Sequence, residues 1–145
     1  FQDKFELINE YMNEIQADLE IAIRAPYVHS NTMHIESLTP EKVSIFQHVY
    51  RYADFYQLYK DNKGISEFQD RFIDTCIKLQ QKDFFWPDED LSFHTYRAYG
   101  VWGLILSWIK SDFSDPIEEI TAQLICIISY QPPKQYKLQW QRSAF

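Results

Sequence analysis

Apolar positions along this chain recur at steps of three and four, the spacing of one face of a helix, with polar residues between them. The run Phe5, Ile8, Met12, Ile15, Leu19 and Ala22 follows an Asp3/Glu6 capping pair. It predicts a long amphipathic helix that stops before Pro26, because the residue preceding a proline is pushed out of helical geometry. Tyr27 to Leu38 keeps no period and reads as a connection. Thr39 with Pro40 has the form of an N-cap and first-turn proline, opening a second helix with Val43, Phe46, Val49 and Tyr50 on its buried side. The pattern runs on through Tyr52, Phe55, Tyr56 and Tyr59 with a break near Ala53, and Gly64 is the expected left-handed cap. Ser66 is expected to cap a helix with the stripe Phe68, Phe72, Cys76 and Leu79. Phe84, Phe85, Trp86 and Pro87 then read as a loop whose rings fold back on the body.

The next two segments differ in kind. A helix from Leu91 to about Ser111 is apolar nearly all round between Ala98 and Ile109. Asp115, Pro116 and Glu118 signal the start of another, which carries Ile117, Ile120, Leu124, Ile127 and Ile128 and has Ile125 and Cys126 on its opposite side. Helices without a polar face need cover on both sides, so one side is expected to meet the core and the other a second subunit. Gly100, Gly103 and Ser107 lie along one side of the first of them. Small residues there permit close backbone approach, although each glycine costs about 1 kcal/mol in helix propensity. Two readings are open: a dimer seam, or space for a bulky neighbour such as Trp102 or Trp108 within one subunit. The seam is expected at Gly100, Gly103, Leu104, Ser107, Ile120, Leu124, Ile127 and Ile128.

Residues 1–130 therefore read as one helical domain, followed by a tail over 131–145. In the tail Tyr136, Leu138 and Trp140 alternate with Lys137, Gln139 and Gln141. With no partner strand in sight, it is left as a packed or flexible tail.

A length of 145 residues fits one domain, and 46% apolar with 24% charged residues is a globular composition. Glycine and proline are scarce, with 3 and 6 occurrences, which favours helices and excludes glycine-rich phosphate loops. The net charge of −7 argues against a broad nucleic-acid face, which needs clustered Lys and Arg. Cys76 and Cys126 form neither a disulfide framework nor a zinc spacing, which points to a reducing, cytoplasmic setting. Apolar stretches fall short of the ~20 residues that span a bilayer, and no signal peptide is evident, so no membrane partner is expected.

Catalytic chemistry is not suggested. His29 and His34 lie in the irregular connection without the helical spacing of a zinc motif, and no metal or other cofactor is expected. His48 and His94 fall in helices beside aromatic positions, as satisfied core or pocket histidines do. Glu118 with Glu119, and Asp88, Glu89 and Asp90, sit at helix starts where the macrodipole accounts for them. Cys76, on a buried stripe, reads as a small hydrophobe, and no hydrolase elbow exists. The expectation is not an enzyme.

Several stretches together resemble one family. Phe1-Gln2-Asp3-Lys4-Phe5-Glu6-Leu7 looks like the F-x-[SDN]-K-x-x-L segment that follows the recognition helix of TetR-family transcriptional regulators. Val49 to Leu58 resembles that family's YxNxxFYxxLL region. Gly100, Gly103 and Trp108, with Asp115-Pro116-Ile117-Glu118-Glu119-Ile120, resemble its GLIxxWL, short loop and SPEEIAxLL ending. The resemblance covers about Phe1 to Ile128. It implies an all-α helical bundle, a homodimer through the last two long helices, and a small-molecule effector site within each subunit. It also implies operator DNA binding through a helix-turn-helix headpiece ahead of Phe1, with residues 1–7 the remnant of the junction. The carried-over roles are a DNA phosphate contact at Lys4 and a ligand pocket drawn from Phe46, His48, Tyr50, Phe72, His94, Tyr96 and Trp102. The implied function is the regulatory domain of a repressor released from DNA by a small molecule or other signal. The alternative is a helical module that docks a different protein through its apolar last helices.

Overall fold

In the computed structural model residues 3–85, 88 and 90–140 are described, and these are helical with no strand among them. Six α-helices follow in order: α1 Lys4–Arg24, α2 Ile45–Arg51, α3 Ala53–Tyr56, α4 Ser66–Asp83, α5 Leu91–Lys110 and α6 Ile117–Ser129. Short 3-10 turns at Ile35–Ser37, Pro40–Lys42 and Gln57–Asp61 link them. Phe1, Gln2, Trp86, Pro87 and Glu89 from the sequence reading, and the tail from residue 141 onward, lie outside the described residues.

The first helix forms as its pattern dictates. The Asp3 side chain accepts a hydrogen bond from the Glu6 N–H at 2.8 Å, satisfying one of the free donors at the helix start. Met12, Ile15, Leu19 and Ala22 are buried, while Phe5 at the outer end of the stripe is 82% exposed. Asp90 caps α5 in the same way, accepting from the Ser92 N–H at 3.0 Å.

Other boundaries differ from expectation. Thr39 and Pro40 open a single 3-10 turn with no side-chain cap, and the helix itself starts one turn later, at Ile45. The break expected near Ala53 falls at Tyr52, where φ −109° and ψ 35° interrupt helical geometry between α2 and α3. The left-handed residue closing the following turn is Asn62, at φ 59°, rather than Gly64, whose φ is not positive. Gly64 is required for another reason: a Cβ there would sit 2.1 Å from Cδ1 of the buried Tyr59 ring. Ser66 is the first residue of α4 and Ile65 its cap position, so the serine side chain caps nothing. Likewise Pro116, not Asp115, occupies the cap position of α6. Phe84 does turn back, with its ring centroid 5.0 Å from that of Tyr27, but Phe85 is almost fully exposed.

The core lies where α4 and α5, the pair in broadest contact, close over α1, α2 and α3. Phe46, Tyr56, Phe68, Phe72, Ile105 and Ile109 are fully buried within it. Rings meet edge to face: Phe46 with Trp108 at 5.6 Å and Phe55 with Phe68 at 4.9 Å. Such pairs add about 0.5–1.5 kcal/mol each beyond area burial. The turn from α5 to α6 is held by Trp108, whose Nε1–H donates to the Asp115 carbonyl at 2.9 Å and whose ring packs on Phe113 at 4.8 Å.

Candidate functional site

The glycine stripe on α5 faces outward. A Cβ at Gly100 or Gly103 meets nothing within 4 Å among the described residues, so these glycines make no room for a neighbour among them. Of the two readings open in the sequence, the internal one has no structural counterpart. Ser107 shares the exposure, and Leu104 is half-buried at the stripe's edge. On α6, Ile127 and Ile128 are 56% and 47% exposed. Ile120 and Leu124 point the other way, into the core, because α6 packs its opposite side on α2 and the preceding 3-10 turns. These two residues belong to the fold and offer no surface for a partner.

The expected pocket residues divide sharply. Phe46, His48, Phe72, His94 and Trp102 are buried, whereas Tyr50 and Tyr96 are exposed. Tyr50 lies against Phe113 and Trp108 on the outside of the core, and Tyr96 stands 83% exposed on α5. The seven do not converge on one cavity. Two depressions of the described surface are a groove of about 550 Å³ along Leu91, Ser92, Thr95, Tyr96 and Tyr99, which Tyr96 alone of the seven lines, and a cleft of about 140 Å³ between α1 and α2 beside Asp18 and Arg51, which none of them lines.

His48 anchors a polar chain through the core. Its Nδ1 lies 2.7 Å from Asp18 Oδ2 and its Nε2 lies 2.6 Å from the Tyr56 hydroxyl, while Arg51 Nη1 donates to both Asp18 oxygens at 2.7 Å. A carboxylate only accepts, so Nδ1 carries the proton. Burial lowers the imidazole pKa, against an upward pull from Asp18, and holds the ring neutral. Nε2 is then an acceptor for Tyr56 O–H, whose own pKa burial raises well above the usual phenol range. His94 is the second satisfied histidine, with Nδ1 3.3 Å from Gln80 Oε1. Asp18, Arg51 and Tyr56 were missed as polar partners. The one available sign was Asp18, an acidic residue flanking the buried positions Ile15 and Leu19.

Trp102 is different. Its ring is enclosed by Phe72 at 4.9 Å, Tyr59 at 5.0 Å and Tyr56 at 6.4 Å, and its buried Nε1–H has no hydrogen-bond partner among the described residues. A buried unpaired donor costs about 1–3 kcal/mol, which makes it a conspicuous feature of the core. Cys76 is buried too, and desolvation pushes its thiol up to about 12, leaving it protonated and inert. His29 and His34 are exposed, and among the described residues no group of three His, Cys, Asp or Glu side chains could hold a metal ion.

Lys4 is the first residue of α1 and is exposed. The far end of the same helix is clamped to α4. Arg24 donates from Nε and Nη2 to the two Asp83 oxygens at 2.8 and 3.0 Å, and the Tyr27 hydroxyl adds a third bond at 2.7 Å. The Arg24 guanidinium holds the Asp83 carboxyl below its ordinary value.

An all-helical domain with aromatic α4–α5 packing and an uncovered small-residue face matches the order of the sequence motifs. Residues 36–130, more than half of the chain, match the family model described as transcriptional regulator C-terminal region, of the TetR type. The chain belongs to the TetR family of transcriptional regulators. The match runs from the first 3-10 turn to the end of α6, so the TetR-type region takes in α2 to α6 and leaves the tail outside it. No curated protein and no solved structure matches the chain. Among the described residues no helix is long and apolar enough to cross a membrane.

Proposed function

We propose that this domain is the signal-sensing and dimerisation part of a TetR-type regulator, a cytoplasmic repressor released from operator DNA by a small molecule or other signal. The observation that carries the reading is the open side of α5 at Gly100, Gly103 and Ser107, within a region that matches a regulator family. Two glycines inside a helix cost about 2 kcal/mol relative to alanine, and nothing among the described residues packs in the space they leave. A second copy approaching backbone to backbone does, with Leu104, Ile127 and Ile128 packing beside the seam. Ile120 and Leu124 support that surface from beneath.

DNA contact belongs to a headpiece ahead of α1, with Lys4 reaching a phosphate at the helix start, where ammonium and free N–H groups act together. The effector site centres on Trp102. Its unpaired N–H suits an uncharged, largely apolar molecule with one hydrogen-bond acceptor, admitted by separation of α4 from α5. Such a molecule shifts α1 through the Arg24–Asp83 clamp, and with it the spacing of two headpieces.

A fusion experiment tests the reading. Placed behind a DNA-binding headpiece that represses a reporter only as a dimer, the chain is expected to restore repression, and its Gly103→Leu variant to lose it. A well-expressed, folded fusion that leaves the reporter fully active contradicts the proposal.

A further inference from the structure

The tail beyond α6 and the outer groove of α5 are complementary in a way that the regulator family does not account for, since the family match ends at residue 130. The groove runs along Leu91, Thr95, Tyr96 and Tyr99, and Tyr96 and Leu91 in it are exposed. Asp90, the cap of α5, adjoins Leu91 at the groove's upstream end, and Asp88 precedes it by two positions in the sequence; both are exposed, and a hydrogen bond from Ser92 holds the Asp90 carboxyl below its ordinary value and so ionised. Arg97 of the same helix sits over the Phe93 ring at 5.9 Å.

The tail has the opposite character. No Asp or Glu follows Glu119, while Lys134, Lys137 and Arg142 do, in a chain whose net charge is −7. Tyr136, Leu138 and Trp140 alternate with polar residues, so that in extended form they share one side. All three are exposed in the single subunit, at 65%, 75% and 71%. The dimensions agree: the four steps from Tyr136 to Trp140 span about 13 Å in extended chain, and the eight from Leu91 to Tyr99 span about 12 Å along a helix.

We propose that the tail of each copy lies extended in the α5 groove of a second copy, with Tyr136, Leu138 and Trp140 on Leu91, Thr95 and Tyr99 and the tail lysines beside Asp88 and Asp90. This rests on the dimer proposed above and adds an exchanged strap to it. Each copy presents both halves of the contact and covers neither, which is the condition for a two-fold exchange. The tail continues directly from Ile127 and Ile128, so the strap prolongs the same seam.

Isotope-resolved cross-linking tests it. Chains labelled with ¹⁴N and ¹⁵N are mixed, allowed to exchange, and coupled with a zero-length carbodiimide reagent. Peptides joining Lys134 or Lys137 to Asp88 or Asp90 in mixed-isotope pairs are the expected result. Same-isotope pairs alone put the tail on its own subunit and overturn the exchange, and absence of any tail–α5 pair overturns the contact. In parallel, a chain ending at Ser129 is expected to dimerise about tenfold more weakly, roughly 1.4 kcal/mol. If that truncation dimerises as tightly as the full chain while Gly103→Leu dissociates, the strap is refuted and the dimer stands. A monomeric full chain refutes both.

Discussion

Gly64 and Tyr59 show how a single missing Cβ supports a core. The Tyr59 ring packs on Trp102 and its hydroxyl donates to the Ile65 carbonyl, so it cannot swing away from an added methyl group. Gly64→Ala is therefore expected to destabilise the domain by about 1–3 kcal/mol, read as a lower urea midpoint with an unchanged slope. The glycine was visible in the sequence, but its reason was not: a helix-end pattern suggested a left-handed cap, and the close approach of a ring five residues back has no local signature. His48 carries a second prediction at this scale. Its folded-state pKa is depressed, so folded and unfolded chains bind the same protons above the ordinary histidine value of about 6.5. Below that value the unfolded chain binds more, and stability falls with pH until the folded-state pKa is passed. Urea midpoints measured from pH 7.5 to 5 should drop for the wild-type chain and drop less for His48→Gln, which keeps a hydrogen-bonding side chain without that titration.

Among the elements, those with long one-sided stripes were legible in advance: α1, α4, α5 and α6 stand where their periodicity placed them, within a residue or two at the ends. Their starts were less so. Asp3 and Asp90 act as caps, but Ser66 and Asp115 each miss by one position, because the backbone turns into the helix at Ile65 and Pro116 instead. Short segments such as Pro40–Lys42 are set by tertiary packing against α6, which local sequence does not encode. The link between α1 and α4 was equally invisible, since Asp83 lies 59 positions from Arg24 and 56 from Tyr27. Asp83→Asn removes the charge that two guanidinium bonds and a phenol grip. The folded-state pKa of Asp83 is depressed, so its contribution is complete above the unfolded value near 4 and is lost as pH falls through the folded one. The variant should unfold at lower temperature at pH 7, and the gap from the wild type should narrow in acid. An unchanged melting temperature at pH 7 would show that the clamp contributes nothing.

For the molecule as a whole, the all-helical class and the TetR kinship could be read from pattern and motif together, whereas the interior of the site could not. Aromatic residues at helical spacing were expected to wall a pocket; Phe46, Phe72 and Trp102 are buried in the core, whereas Tyr50 and Tyr96 stand outside it. Periodicity tells which way a residue faces along its own helix, not whether facing helices leave a gap. The outward side of α5 is the converse case. Its excess of apolar and small residues was evident from sequence, and the structure leaves Gly100 and Gly103 open as that excess implies. Sedimentation equilibrium on the chain and on Gly103→Leu tests this directly. The account predicts a wild-type mass twice the 17.5 kDa of one chain, and a shift toward 17.5 kDa in the variant with an unchanged helical circular dichroism spectrum. A wild-type chain that stays at 17.5 kDa, or a variant that dimerises as tightly as the wild type, would contradict it.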